Sequence, residues 1–170
     1  LSSMHVYGRP SGGRIPPWTE ETPPRPLTTY ASLKRQGEWA LQTGEFPRHP
    51  RPGAAWVRVA SVYGVGPGMD PEHVFAWWRT CLDERRSIIL TGDGTHQWDF
   101  IHLQDFVEAL TLVAEDPRAK GGYNLGGGPV RMVDALQTFL TVAAPDPPPL
   151  IQVLDPGDPL DDCALAPGRL

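Results

Sequence analysis

Apolar positions along the chain follow two alternating rhythms. Ala54-Ala55-Trp56-Val57-Arg58-Val59-Ala60 is a nearly continuous apolar run, the pattern of a short strand covered on both faces. Ser87 to Thr91, Gly121-Gly122-Tyr123-Asn124-Leu125 and Ile151-Gln152-Val153-Leu154 read as further short strands, and Asp99 to Leu103 as another extended piece. Residues 1–8 read as the end of a buried strand running into a turn at Gly8. Between these runs the spacing changes to that of a helix. Thr28 or Thr29 caps a helix over residues 30–43, with Ala31, Leu33, Ala40 and Leu41 apolar. Val74, Phe75, Trp78 and Leu82 predict a second helix over 71–85; Phe106, Val107, Leu110 and Val113 a third from Gln104 to about Glu115. Met132, Ala135, Leu136, Phe139 and Leu140 predict a fourth over 131–143. Trp56, Trp77 and Trp78 fall on the apolar faces and are expected in the core. No internal repeat is present, and the alternation predicts an α/β layered fold.

Composition narrows the class without changing that picture. The chain of 170 residues is one domain's worth or less, 40% hydrophobic and 21% charged, which is globular. Its 20 prolines cluster near 16–26, 47–52 and 145–159 and mark loops. Net charge is −5 with the cations scattered, so neither a nucleic-acid surface nor a polybasic anchor is expected. No apolar run reaches the roughly 18 residues of a membrane span, and no signal peptide is visible; a cytoplasmic protein is expected. Cys81 and Cys163 match no metal-ligand or disulfide spacing. His49, His73, His96 and His102 are scattered, and no metal site is expected.

Two glycine clusters invite comparison with phosphate-binding loops. Gly64-Val65-Gly66-Pro67-Gly68 follows a strand, but Pro67 interrupts it and the next helix opens later, at Asp70-Pro71. Gly126-Gly127-Gly128 follows a strand and is met by Pro129. Neither forms the Gly-x-Gly-x-x-Gly that opens a helix under a dinucleotide, and no Walker sequence occurs.

The chemistry concentrates at the first predicted helix. Tyr30 and Lys34 are four residues apart and therefore on one face, one turn apart. An ammonium held that way stabilises a phenolate and makes the tyrosine usable as an acid and base.

Five stretches, in order, resemble the extended short-chain dehydrogenases/reductases, the NAD-dependent sugar epimerase/dehydratase family. Ser2-Ser3-Met4-His5-Val6-Tyr7-Gly8 is similar to that family's Ser/Thr strand end, and Tyr30-Ala31-Ser32-Leu33-Lys34 to its Tyr-x-x-x-Lys. Arg58-Val59-Ala60-Ser61-Val62-Tyr63-Gly64-Val65-Gly66 resembles its Arg-x-x-x-Val-Tyr-Gly-Pro-Gly. Gly92-Asp93-Gly94 through Asp99-Phe100-Ile101-His102-Leu103-Gln104-Asp105 resembles its Gly-Asp-Gly and Arg-Asp-Phe-Ile-His-Val-x-Asp segments, and Tyr123-Asn124-Leu125-Gly126 adds a weaker match.

The resemblance implies the second half of a Rossmann-type parallel sheet plus a small C-terminal substrate-binding α/β region. Residues 1–63 would belong to the cofactor domain. Residues 64–170 would mostly bind substrate, with some elements returning to the first part. The cofactor-loop half would precede Leu1, leaving a sheet edge and apolar surface open and the isolated chain prone to association. Implied roles follow residue by residue. Tyr30 is the acid/base, Lys34 holds the ribose of NAD or NADP, and Ser3 hydrogen-bonds the reacting hydroxyl. Val59 and Ala60 line the nicotinamide. Ser3, Met4, His5, Ser61 and Trp98 face a nucleotide-sugar substrate, His102 is mainly structural, and the full-length parent is a homodimer.

Departures from the family pattern refine the expected reaction. Members that dehydrate a sugar carry acidic residues directly after the Ser/Thr, where this chain has Met4 and His5. Decarboxylating members usually carry Glu at the His5 position. Ser61 replaces an Asn and Trp98 an Arg, and an indole stacks on a ring but cannot neutralise a diphosphate. Leu33 replaces a small residue before the Lys. The expectation is an epimerase or 4-ketoreductase of a nucleotide-linked sugar. The alternative is a truncated or degenerate member without activity as an isolated chain.

Overall fold

The computed structural model describes residues 1–8, 17–45, 54–65 and 73–155. Gly66, Pro67, Gly68, His49, Cys163 and much of the proline-rich loops expected around residues 9–28 and 47–53 lie outside the described residues. Along the chain come β1 (Ser2–Ser3), a 3₁₀ helix (Met4–Tyr7), α1 (Thr29–Thr43), β2 (Ala55–Val59), β3 (Ser61–Tyr63) and α2 (Val74–Asp83). They are followed by β4 (Ile88–Thr91), β5 (Gln97–His102), α3 (Leu103–Glu115), β6 (Gly121–Leu125), β7 (Pro129–Arg131), α4 (Met132–Ala143) and β8 (Ile151–Leu154).

The described strands form three small sheets. β1, β2 and β6 lie side by side and all parallel, with Ser3 opposite Val59 and Val59 opposite Leu125. β5 sits between parallel β3 and antiparallel β7, and β4 pairs with β8 in parallel. β2 and β3 are one extended run divided at Ala60, whose N–H donates to the Leu125 carbonyl at 2.9 Å. At that residue the backbone passes from the first sheet to the second. The C-terminal ends of β1 and β2 therefore open beside the start of β3, the kind of crevice where open α/β sheets bind ligands.

The α/β alternation appears as the hydrophobic rhythm predicts, with local differences, of which β3, absent from the predicted strands, is one. After Ser3 the chain curls into the 3₁₀ helix instead of staying extended. Ser3 Oγ caps that helix by accepting from the His5 N–H at 3.3 Å, and Gly8, at φ 81°, ends it against the Arg25 carbonyl, where no Cβ fits. β5 begins at Gln97, two residues before the expected Asp99. β7 was hidden by its proline, which is tolerated because Pro129 opens a strand that pairs on one side only, with β5.

Thr28 caps α1 through its Oγ1, which accepts from the Ala31 N–H at 3.1 Å, and Gly44, at φ 75°, closes it. Histidines cap the next two helices. His73 Nδ1 accepts from Phe75 N–H at 3.4 Å, and His102 Nδ1 from Gln104 N–H at 3.3 Å. Three apolar clusters hold the layers. Met4, Val6, Tyr7, Trp18 and Ala60 pack behind the 3₁₀ helix. Trp78, Cys81, Ile88, Leu90, Phe100, Ala135 and Leu136 join α2, β4, β5 and α4. Val57, Ile101, Val113 and Leu125 fill the space under α3. Half-buried Trp98 touches both of the first two clusters and so bridges the sheets.

Candidate active site

A cleft of about 420 Å³ opens where β1, β2 and the start of α1 converge. Ser3, Met4, His5, Tyr30, Val59, Ala60 and Ser61, each anticipated from the sequence, line it together. Thr28 and Val62 line it too, and the sequence reasoning passed over both. Thr28 was read only as a cap, and Val62 follows from the same extended run as Ser61. Lys34 and Trp98 stand outside the lining.

Each side chain has a structural reason for its place. Tyr30 is 53% exposed at the first turn of α1, and Lys34 Nζ lies 5.5 Å from its ring centroid, one turn on. Ser3 is buried at the end of β1. The His5 ring meets Tyr30 edge-on at 6.2 Å and 76°, and Trp98 at 6.3 Å. Partial burial lowers the His5 pKa below 6.5, although the residue as a whole is exposed. Trp98 thus reaches the cleft through His5. Ser61 Oγ is 3.5 Å from His73 Nε2; because His73 Nδ1 accepts a hydrogen bond, its proton is on Nε2 and points at Ser61.

Behind the cleft is a buried polar network that sequence reasoning missed. Glu38 is 1% exposed and receives both forks of Arg58: Nε to Oε1 at 2.8 Å and the NH2 nitrogen to Oε2 at 2.8 Å. Ser2 Oγ donates to Glu38 Oε1 at 2.6 Å and Arg35 to Oε2 at 3.1 Å. Arg58 also donates to the Tyr7 hydroxyl at 2.7 Å, and Tyr7 donates to Asn124 Oδ1 at 2.7 Å. Burial alone would raise the Glu38 carboxyl; hydrogen bonds from Arg58 and Ser2, with the Arg58 charge, outweigh it and hold Glu38 below the ordinary value of 4.5. Burial opposes the Arg58 charge as well, and its bonds to Glu38 and Tyr7 more than offset it, raising its pKa. A signal was available: Glu38 continues the four-residue spacing of Tyr30 and Lys34, and Arg58 is a charge in an otherwise apolar strand.

The second glycine cluster has a structural role. Asp99 is fully buried, and its Oδ1 accepts from Gly127 N–H at 3.0 Å and Gly128 N–H at 3.1 Å. Among the described residues, no group of three or more His, Cys, Asp or Glu side chains could hold a metal, and no helix is long and apolar enough to cross a membrane.

A parallel sheet whose strand ends meet a Tyr-x-x-x-Lys helix at a cleft defines a Rossmann-type α/β protein of the short-chain dehydrogenase/reductase kind. The chain belongs to the NAD dependent epimerase/dehydratase family, whose sequence model matches residues 1–126. It is 31% identical over 129 residues to a dTDP-glucose 4,6-dehydratase of Streptomyces griseus, covering 75% of this chain and 37% of that protein. It is 28% identical over 152 residues to a UDP-glucose 4-epimerase of Mycolicibacterium smegmatis, covering 86% and 46%. The crystal structure of a dTDP-glucose 4,6-dehydratase from Bacillus anthracis in complex with NAD superposes with a TM-score of 0.77 at 27% identity, over 98% of this chain and 51% of that one. The chain therefore spans about half or less of the length of these proteins.

Proposed function

We propose that this chain carries the catalytic half of an NAD(P)-dependent epimerase or 4-ketoreductase of a nucleotide-linked sugar. The observation that carries this reading is the convergence of Ser3, Tyr30, Val59, Ala60 and Ser61 on one cleft, with Lys34 one turn behind Tyr30. The donor set suits the ribosyl-nicotinamide end of the cofactor. A phenol and an ammonium address ribose hydroxyls, and the small, buried Ala60 beside Val59 offers an apolar floor to a planar ring. When bound, the cofactor supplies the hydride acceptor or donor.

The residues do the rest. Tyr30 takes the proton of a sugar hydroxyl as the carbon is oxidised and returns it on reduction. The Lys34 charge favours the phenolate form of Tyr30 that accepts that proton. Ser3 Oγ hydrogen-bonds the same hydroxyl and fixes its direction. The relatives divide between a dehydratase and an epimerase by name. Met4 and His5 favour redox at one carbon: elimination of water needs a base for carbon and an acid for the leaving hydroxyl, Met4 can be neither, and His5 alone is no substitute for a pair of acidic residues.

A second reading rests on the glycines. These 170 residues contain no dinucleotide loop, and Gly127 and Gly128 spend their N–H groups on Asp99. The chain alone would then bind cofactor weakly and turn nothing over. One experiment separates the readings. UDP- and dTDP-hexoses are incubated with NAD and with NADP, and products and reduced cofactor are followed by chromatography and absorbance. The assay uses the 170 residues alone and a polypeptide that adds a glycine-rich phosphate loop ahead of Leu1. Turnover by the longer polypeptide alone supports the enzyme and the dependence on that loop. No turnover by either rules out the enzymatic reading.

A further inference from the structure

The buried pair Glu38–Arg58 lies below the cleft rather than in it, yet four elements that furnish the cleft, α1, β1, β2 and the 3₁₀ helix, are tied to it. Glu38 is on α1, two turns beyond Tyr30 and one beyond Lys34. The three residues follow one face, drifting by only about 40° per four residues. Ser2, whose hydroxyl donates to Glu38, is the immediate neighbour of Ser3. Arg58 precedes Val59 and stands opposite Ser2 in the sheet. Tyr7, which accepts from Arg58, ends the 3₁₀ helix that begins with Met4 and His5.

We propose that Glu38, gripped by Arg58 and Ser2, is the positioning residue of the cleft: it sets where α1 seats on β1 and β2, and with that how Tyr30 and Lys34 face Ser3 and Val59. The inference rests on the reading of Tyr30, Ser3 and Lys34 as the reacting groups. Geometry supports it over mere stabilisation. A bidentate guanidinium–carboxylate fork restricts both separation and orientation, which apolar contacts do not. The third bond, from Ser2 at 2.6 Å, fixes the position along the strand. α1 buries only Ala31 and Glu38, so its seating has little apolar shape to define it.

The test uses the double variant Glu38→Met/Arg58→Met in the full chain. Replacing a buried pair by apolar residues of similar volume is commonly neutral for stability, so folding and positioning separate. Two readouts are taken beside the melting curve. The first is the proton NMR resonance of the His5 ring, which feels the ring current of Tyr30 at 6.2 Å and is assigned with His5→Gln. The second is kcat and KM with a nucleotide sugar, in a polypeptide that turns one over. The expected result is a folded protein whose His5 resonance has moved and whose kcat has fallen about 100-fold with KM changed less than about twofold, as a misplacement near 1 Å costs. A folded variant with the wild-type His5 resonance and wild-type kcat overturns the inference. If the double variant does not fold, Ser2→Ala, which removes one hydrogen bond, is read by the same resonance: movement supports positioning and an unmoved resonance overturns it. Absence of turnover in every wild-type form refutes the proposed function, while the His5 resonance still decides whether the pair seats α1.

Discussion

Gly126 lies directly against the Asp99 carboxylate, with no room for a side chain between them. Asp99 reaches from β5 to the turn after β6 and holds that turn by the N–H groups of Gly127 and Gly128. Gly126→Ala is expected to push this carboxylate off its donors and to cost about 1–3 kcal/mol, the range for overpacking a filled site. Urea denaturation measures it. Asp99→Asn, which keeps the volume and loses the charge, is expected to cost about 1.5–3 kcal/mol.

Tyr30→Phe removes a hydroxyl from an exposed ring and leaves its contact with His5 in place. In a polypeptide that turns over a nucleotide sugar, kcat is expected to fall by about 100-fold or more, the share of a general acid/base, while cofactor affinity stays within a few-fold. Unchanged turnover would remove Tyr30 from the mechanism.

Glu38 predicts a pH dependence with a definite sign. Its folded pKa is below 4.5, so its contribution is complete above that ordinary value and is lost as pH falls through the lower folded one. The difference in melting temperature between wild type and Glu38→Gln is expected to stay level from pH 7 to about 4.5 and to close below it. Above pH 4.5 the variant should be less stable by about 3–5 kcal/mol, since Arg58 is left buried without its counter-charge.

His5 should titrate below 6.5, because partial burial disfavours its charged form. The ring is therefore expected neutral at pH 7, and its share of stability falls as pH drops below 6.5, where the unfolded chain protonates first. An NMR titration of the ring protons gives the midpoint; a value above 6.5 contradicts the burial argument.

Trp78 is 1% exposed and packs on Phe75 at 5.3 Å and Phe139 at 5.5 Å, joining α2 to α4. Trp78→Ala is expected to cost about 3–5 kcal/mol in urea denaturation. Trp78 does not line the cleft, so ligand titrations at low temperature should change far less.

The strand and helix periods were legible because burial on one or two faces writes itself into sequence directly. Tyr30 and Lys34 were legible because their spacing is local. What escaped was non-local. The 3₁₀ helix after Ser3 depends on a serine cap and on a glycine fitting against Arg25, neither of which a hydrophobic pattern carries. The pairing of Glu38 with Arg58 escaped, since the residues of that network are far apart along the chain: Tyr7 and Arg58 are 51 positions apart, and Tyr7 and Asn124 117. Trp98 backs His5 and fills the seam between two apolar clusters, contacts that its place in the sequence does not carry.

The division of one extended run at Ala60 also constrains chain length. Side chains in a strand alternate faces, so a single inserted residue between Val59 and Ser61 would turn all of β3 over. Ser61 would leave the cleft, and Tyr63 would lose the rings of Phe75, Phe100 and His102. Homologous proteins should therefore vary in residue type along this run before they vary in residue number at Ala60, and an alignment gap at that point would mark a protein whose pocket is differently built.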